Sequence, residues 1–271
     1  MKPTPAEKRA AFRALHEKGC FLIPNPWDAG SARLLEHLGF QALASTSSGH
    51  AWSIGKSDYG VTLEDALAYL SSISEAVDVP VNADFEAGFA NDPEGVARNV
   101  SRAIATGIAG ISIEDRDVAN GGRLYDIPMA VTRLRAAREA IHRSGEDVLL
   151  VARTEGMLDD PSALAPAIDK LVAFAEAGAD CLYAPGVWKK DDIAAMVRAV
   201  APKPVNVLIM RPDRNVAELA ELGVRRLSIG GALAAVGWAA VIKAAEEMGA
   251  GSFTALGGRL PGSTLNGIFG R

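Results

Sequence analysis

The sequence predicts an α/β protein, a (β/α)8 TIM barrel. Three observations carry that expectation. Short apolar runs alternate with helix-like stretches eight times along 271 residues, and such alternation implies a parallel sheet covered by helices. Glycine closes helix after helix just before the next apolar run, at Gly39, Gly107, Gly178 and Gly223, where left-handed caps favour it. Acids and an arginine collect where the apolar runs end, the end at which such barrels carry their sites. An open, doubly wound sheet is weakened by the lack of a G-x-G-x-x-G after the first strand.

In chain order, residues 5–18 read as an opening helix. Strand 20–25 ends at Asn-Pro and precedes helix 29–38. Strand 42–46 runs into a polar loop, 47–60, before helix 63–76. Strand 79–84 leads to helix 93–106, and strand 110–114 to a glycine-rich loop, 115–124. Helix 128–144 carries Pro128 in its first turn, where its missing N–H costs nothing. Strands 148–154, 180–184, 204–208 and 226–229 follow, each with its helix: 161–177, 191–201, 216–222 and 232–248. Residues 1–249 are expected to form one barrel with an N-terminal helix. Residues 250–271 read as a loose tail, disordered or packed on a neighbouring subunit.

At 49% hydrophobic and 23% charged, the composition is that of a soluble domain. A net charge of −5 without a long basic run argues against a nucleic-acid partner. Cys20 and Cys181 lie in apolar contexts and read as buried free thiols. The charged N-terminus lacks the apolar core of a secretory signal. No apolar run reaches the roughly 18 residues of a membrane span. A cytoplasmic protein without a membrane partner is expected.

The chemistry centres on VPVNADFEAG, residues 79–88. Asp84 and Glu86 are two apart at the end of an apolar strand, and strand alternation points such residues to one side. Converging carboxylates call for a cation, and Mg²⁺ suits all-oxygen ligands. Glu114 ends the next strand and completes an expected cage with Asp84 and Glu86; Asp58 could add an outer contact. Arg153 ends VLLVAR, and its planar fork suits a carboxylate, either a substrate's or that of Glu155 or Glu114. Thr46, Ser47, Ser48 and Gly49 offer hydroxyls and amides as an anion nest. His50 and Asp58 are candidates for moving protons, and Asn206 reads as a polar residue facing inward or a ligand contact. Trp52 and Tyr59 read as lid packing. Cation, arginine and nest together suit a small 2-oxo acid, whose enolate the cation would stabilise.

The sequence resembles the isocitrate lyase/phosphoenolpyruvate mutase superfamily. NPWDAGSARLLEHLGF, TSSGHAW with the following Asp58, VNADFEAGF, GISIED, VARTE and GVRRLSIGG carry the resemblance, in register over residues 15–235. It implies a (β/α)8 barrel, Mg²⁺, an enolate of a 2-oxo acid, and exchange of helix 8 between subunits in a homodimer or homotetramer. It matches Asp84, Glu86 and Glu114 to the metal acids and Asp58 to the loop acid. It matches Ser48, Gly49 and His50 to the carboxylate-holding loop, Arg153 to the substrate arginine, and Asn206 to a polar contact from strand 7.

The departures bear on the reaction. The loop after strand 4 reads DRDVANGGRLYD, without the Cys motif of the isocitrate and methylisocitrate lyases or the Lys of the mutases. Ala184-Pro185 stands where lyases place Glu and mutases His. The expected function is a Mg²⁺-dependent carbon–carbon lyase, for decarboxylation of an oxaloacetate-like acid or cleavage of a 2-alkylmalate or methylisocitrate. The rivals are carbon–phosphorus chemistry on phosphonopyruvate and a 2-oxo-acid-binding protein without turnover.

Overall fold

A computed structural model describes residues 2–270, so the two terminal residues of the expected domain and tail lie outside it. Eight strands run parallel: β1 Phe21–Ile23, β2 Leu43–Ala44, β3 Val81–Asp84, β4 Gly110–Glu114, β5 Leu149–Arg153, β6 Cys181–Tyr183, β7 Val205–Leu208 and β8 Arg226–Ser228. They pair in the order β1-β8-β7-β6-β5-β4-β3-β2. The seam between β1 and β2 is joined by Ala44 N donating to Pro24 O at 3.1 Å and by Asn25 Nδ2 donating to Ser45 O at 2.9 Å. The expected (β/α)8 barrel is therefore formed. All four predicted cap glycines have φ between +85° and +99°.

Strand alternation divides the side chains. Ala83, Ile111, Ile113, Leu150, Ala152, Leu182 and Val207 pack outward with helix residues such as Val100, Leu134 and Leu171. The inward set is more polar. Fully buried Arg226 donates to Asn206 Oδ1 at 2.9 Å and reaches across to Asn82 Oδ1 at 3.3 Å. Asn82 donates to Ser112 Oγ and Asn206 to Ser228 Oγ, each at 3.0 Å.

The opening helix, Pro5–Glu17, closes the N-terminal end. Phe12, His16 and Phe21 meet edge to face beneath the strands. Lys8 Nζ donates to the carbonyls of Ser74 and Val77, and Arg9 to those of Ile108 and Ile104 as well as to Glu146. These bonds satisfy charged heads that burial would otherwise penalise.

Three expectations are corrected. The loop after β2 begins as a helix, Ser47–Ser53. The helix expected over 161–177 begins later, as Leu164–Glu176, and a separate short helix, Gly156–Asp159, precedes it. The tail is ordered in a short 3₁₀ turn, Thr254–Gly258, and a helix, Gly262–Phe269. Phe269 O accepts from Arg33 on the helix Ala29–His37 at 3.1 Å. Both cysteines are free, Cys181 buried and Cys20 half-buried.

Candidate active site at the strand ends

The C-terminal ends of β3, β4 and β5 bring Asp84, Glu114 and Arg153 together. Register pairs Glu114 with Arg153 directly, and both are on the inward face. Asp84 Oδ1 lies 3.3 Å from Arg153 Nη1, and Glu114 Oε2 lies 3.5 Å from Arg153 Nε. Glu155, two residues on, takes the guanidinium in a two-pronged pair, at Nε and at Nη2. The Tyr183 ring lies under the guanidinium at 5.2 Å. Arg153 is thus held by three acids of the chain itself.

Glu86 arrives by a different route from the one strand alternation implies. β3 ends at Asp84, and Glu86 turns the chain with φ +45°, followed by Gly88 at +78° and Phe89 at +52°. Two residues with side chains in the left-handed region store strain of the kind that clusters at functional sites. The turn is held by Glu114 N donating to Glu86 O at 3.0 Å. Buried Arg133, from the helix Ile127–Ser144, also clamps it by donating to the carbonyls of Ala87, Ala90 and Asn91. Sequence reading did not single out Arg133; its apolar helical context gave no sign of what it would hold.

Burial, then the charges of Asp84 and Asp58, push Glu86 up to about 8 against the pull of Arg153. Burial raises Glu114 as well, with Arg153 opposing and Glu155 and Asp84 adding. One carboxylate oxygen on each, Glu86 Oε1 and Glu114 Oε1, is buried without a hydrogen-bond partner. Unpaired buried acceptors are costly, so this pair asks for a donor or a cation.

The expected three-acid cage is not closed. Among the described residues, no group of three or more acids, histidines or cysteines converges tightly enough to hold a metal ion. The physical reason is Arg153, whose guanidinium draws Asp84 and Glu114 to itself. The donor set still fits Mg²⁺, which uses one or two carboxylates and keeps several waters. Asp84 and the orphaned oxygens of Glu86 and Glu114 are three hard oxygen donors, enough to supply one or two direct ligands and hold waters with the rest.

The Thr46–Gly49 stretch works differently from the expected nest. Thr46 caps the helix Ser47–Ser53, its Oγ1 accepting from Gly49 N at 3.2 Å, while its own amide donates to Tyr69 Oη at 3.2 Å. Ser47 N and Oγ both donate to Asp84 Oδ2 at 3.0 Å. Two of the expected anion-binding amides, at Ser47 and Gly49, are thereby occupied. Ser48 Oγ pairs with Thr46 Oγ1 at 3.2 Å. Gly49 is needed for packing: a Cβ there would sit 2.7 Å from the Thr46 side chain and 3.2 Å from Trp27.

His50 is not brought to the cluster. Its ring stacks on Tyr69 at 4.0 Å and 4°, and burial lowers its pKa. The charges acting on it are Asp65, Lys56 and Asp28, not those of the cluster. Asn206 lies inside the barrel, 0% exposed and bonded to Arg226 and Ser228, rather than at the rim. Asp58 lies on the loop after β2, its Oδ1 accepting from Tyr59 N at 3.1 Å, and it reaches the edge of the cluster: burial, then Asp84, raise its pKa against the pull of Arg153 and Ser47. Tyr59, read as lid packing, instead reaches the cluster: burial, then Glu114 and Glu155, raise its hydroxyl pKa.

Asp115, next to Glu114 but on the opposite face, is fully satisfied. It accepts from Thr154 Oγ1 at 2.8 Å, Glu155 N at 2.9 Å and Lys170 Nζ at 2.5 Å. This pairing fixes the backbone of Glu155 and so the carboxylate that grips Arg153. Lys170, beside Asp169 on the helix Leu164–Glu176, was not singled out from the sequence.

The family model for phosphoenolpyruvate phosphomutase matches residues 12–249, and the chain belongs to that family, within the isocitrate lyase/phosphoenolpyruvate mutase superfamily. A crystal structure from Burkholderia cenocepacia J2315, of a protein provisionally placed among lyases and mutases, superposes with a TM-score of 0.94 at 42% identity, covering 98% of both chains. The structure of 2,3-dimethylmalate lyase superposes with a TM-score of 0.87 at 28% identity, over 100% of this chain and 96% of that one. The 2-methylisocitrate lyase of Escherichia coli K12 is 33% identical over 64% of this chain and 60% of its own length. Among the described residues no helix is long and apolar enough to cross a membrane.

Proposed function

We propose that the chain is a Mg²⁺-dependent carbon–carbon lyase acting on a small 2-oxo or 2-hydroxy carboxylic acid. One observation carries this reading: two buried carboxylate oxygens without partners, on Glu86 and Glu114, beside Asp84 at the mouth of the barrel. When bound there by Asp84, Glu86 and Glu114, Mg²⁺ would supply a Lewis acid for the 2-oxo group. The chain's own residues do the rest. Ser47 orients Asp84, Glu155 orients Arg153, and a substrate carboxylate would draw Arg153 from its present acids. Tyr59 covers the cluster from the loop after β2. Decarboxylation of an oxaloacetate-like acid asks least of such a site, since it needs an electron sink at the carbonyl. The relatives include an enzyme named oxaloacetate decarboxylase, from Paraburkholderia xenovorans, at 28% identity.

The family model's own description favours a second reading, carbon–phosphorus chemistry on phosphonopyruvate. A phosphonate beside a carboxylate calls for more cations than Arg153 alone, and Arg116 is held by Asp159. A binding protein without turnover is the third reading. As for assembly, the helix Ala232–Gly249 leaves Val236, Trp238, Val241 and Ile242 between 42% and 66% exposed. That apolar face supports exchange of this helix within a homodimer or homotetramer.

The test is release of pyruvate or another 2-oxo acid from oxaloacetate, 2-methylisocitrate, isocitrate, a dialkylmalate and phosphonopyruvate. Turnover of one carbon-chain substrate, abolished by EDTA and reduced about a thousandfold in Asp84→Ala, is expected. Turnover of phosphonopyruvate alone would establish the second reading, and Mg²⁺-dependent binding without turnover the third.

A further inference from the structure

A cavity of about 340 Å³ opens beside Glu86, between the loops that follow β2, β3 and β4. Its volume falls within the range of about 300–1,000 Å³ usual for small-molecule pockets and corresponds to roughly ten waters. Val61, Phe89, Val118, Ala119, Tyr59 and Tyr125 form most of its wall. The walls are set before any ligand arrives: Arg133 lies over the Tyr125 ring at 4.4 Å and fixes the turn that carries Phe89.

The charge of this cavity decides what it can hold. The one cation lining it, Arg116, donates from Nη1 to Gly122 O at 2.6 Å and from Nη2 to Asp159 Oδ1 at 2.8 Å. At its inner end stands Glu86, a carboxyl group that offers a second anionic arm no positive partner. The space therefore offers apolar contact and no uncommitted positive charge.

We infer that this cavity receives an uncharged, apolar substituent on the substrate, and selects alkyl-substituted 2-oxo or 2-hydroxy diacids over unsubstituted diacids and over tricarboxylic acids. The inference rests on the functional reading above and narrows its substrate class. An acid seated at Asp84, Glu86 and Arg153 has its next carbon beside Glu86, facing the opening. An alkyl group there exchanges water for Val61, Phe89 and Val118, whereas a carboxylate would lose its hydration and find Arg116 taken.

The experiment is titration calorimetry at fixed Mg²⁺ with malate and its 3-methyl, 3-ethyl and 3-propyl derivatives, and with a tricarboxylic acid of the isocitrate type. Affinity should rise about fourfold for each methylene buried, and the tricarboxylic acid should bind more weakly than malate. Ala119→Phe, on the exposed loop after β4, should bring the propyl-to-hydrogen affinity ratio toward one. Val118→Arg, which adds a free cation, should favour the tricarboxylic acid. A flat or falling series, or tightest binding of the tricarboxylic acid to the unaltered protein, overturns the inference while leaving the functional reading intact. If none of these acids binds with Mg²⁺, the functional reading fails and the inference falls with it.

Discussion

The two ends of this barrel handle buried charge in opposite ways. At the N-terminal end Lys8 and Arg9 are buried, yet both donate to backbone carbonyls, and His16 is kept neutral by burial and by Arg226. At the C-terminal end Glu86 and Glu114 each keep a buried oxygen unpaired, and the chain is bent through left-handed φ at Glu86 and Phe89. The first end keeps one orphan too, His16 Nε2, but on a neutral ring, so among the described residues no buried charge is left unpaired there. The second tolerates frustration, as sites that await a ligand do. Glu114 and Asp115 show the same contrast in adjacent residues, one with an orphaned oxygen and the other with three donors.

The largest effect expected is at the arginines. Arg153→Met removes the only guanidinium among the acids that grip it and should destabilise the metal-free protein by about 3–5 kcal/mol. Added Mg²⁺ should recover much of that loss. Arg9→Met at the other end strands the carbonyls of Ile104 and Ile108 and should cost about 2–3 kcal/mol, with no recovery on adding Mg²⁺. Denaturant melts with and without the ion check both; equal recovery in the two variants would erase the distinction between the ends.

The pH dependence should carry opposite signs. Glu86 sits at about 8 in the folded chain against an ordinary 4.5. Its contribution is full below pH 4.5 and is lost as pH rises through 8. His16 sits at about 3 against 6.5, because burial and Arg226 disfavour its charged form. Its contribution is full above pH 6.5 and is lost as pH falls toward 3. Melting temperatures in EDTA should therefore decline as pH rises from 4.5 to 8 in the unaltered protein and less so in Glu86→Gln. On the acid side the decline should shrink in His16→Asn. Identical profiles for all three proteins would mean that neither end behaves as described.

The smallest effect sharpens the local architecture. Thr46→Ala removes the cap of the helix Ser47–Ser53 and should cost about 1 kcal/mol. Because that helix carries Ser47 to Asp84, Mg²⁺ affinity should weaken with it.

Much of this contrast was legible in the sequence, and the gaps have identifiable causes. The eight apolar runs and the four cap glycines announced the barrel, because both follow from backbone requirements that residue type reveals. Asp84, Glu86, Glu114 and Arg153 were legible because they end such runs. The helix at 47–53 was missed because Ser-Ser-Gly reads as a turn until Trp27 and Ala234 pack against Gly49. Asn206 reads either as an inward-facing polar residue or as a ligand contact, because strand alternation says that a side chain points inward but not how deep in the barrel it lies; the structure gives the first. Its partner Arg226 stands beside Arg225 in the sequence. Only the pairing register shows that Arg226 enters the barrel while Arg225 donates to Gly19 O at the surface. The tail helix lacks a strong pattern and gains its order from contact with the helix Ala29–His37.

The most direct test of the central claim is thermal melting at pH 8 in EDTA and in excess Mg²⁺, for the unaltered protein, Asp84→Asn and Glu86→Gln. If the orphaned acids form a cation-dependent site, Mg²⁺ should raise the melting temperature of the unaltered protein by several degrees. Each variant should lose most of that rise while folding normally in EDTA. An unaltered protein indifferent to Mg²⁺, or variants that respond as fully as it does, would contradict the account.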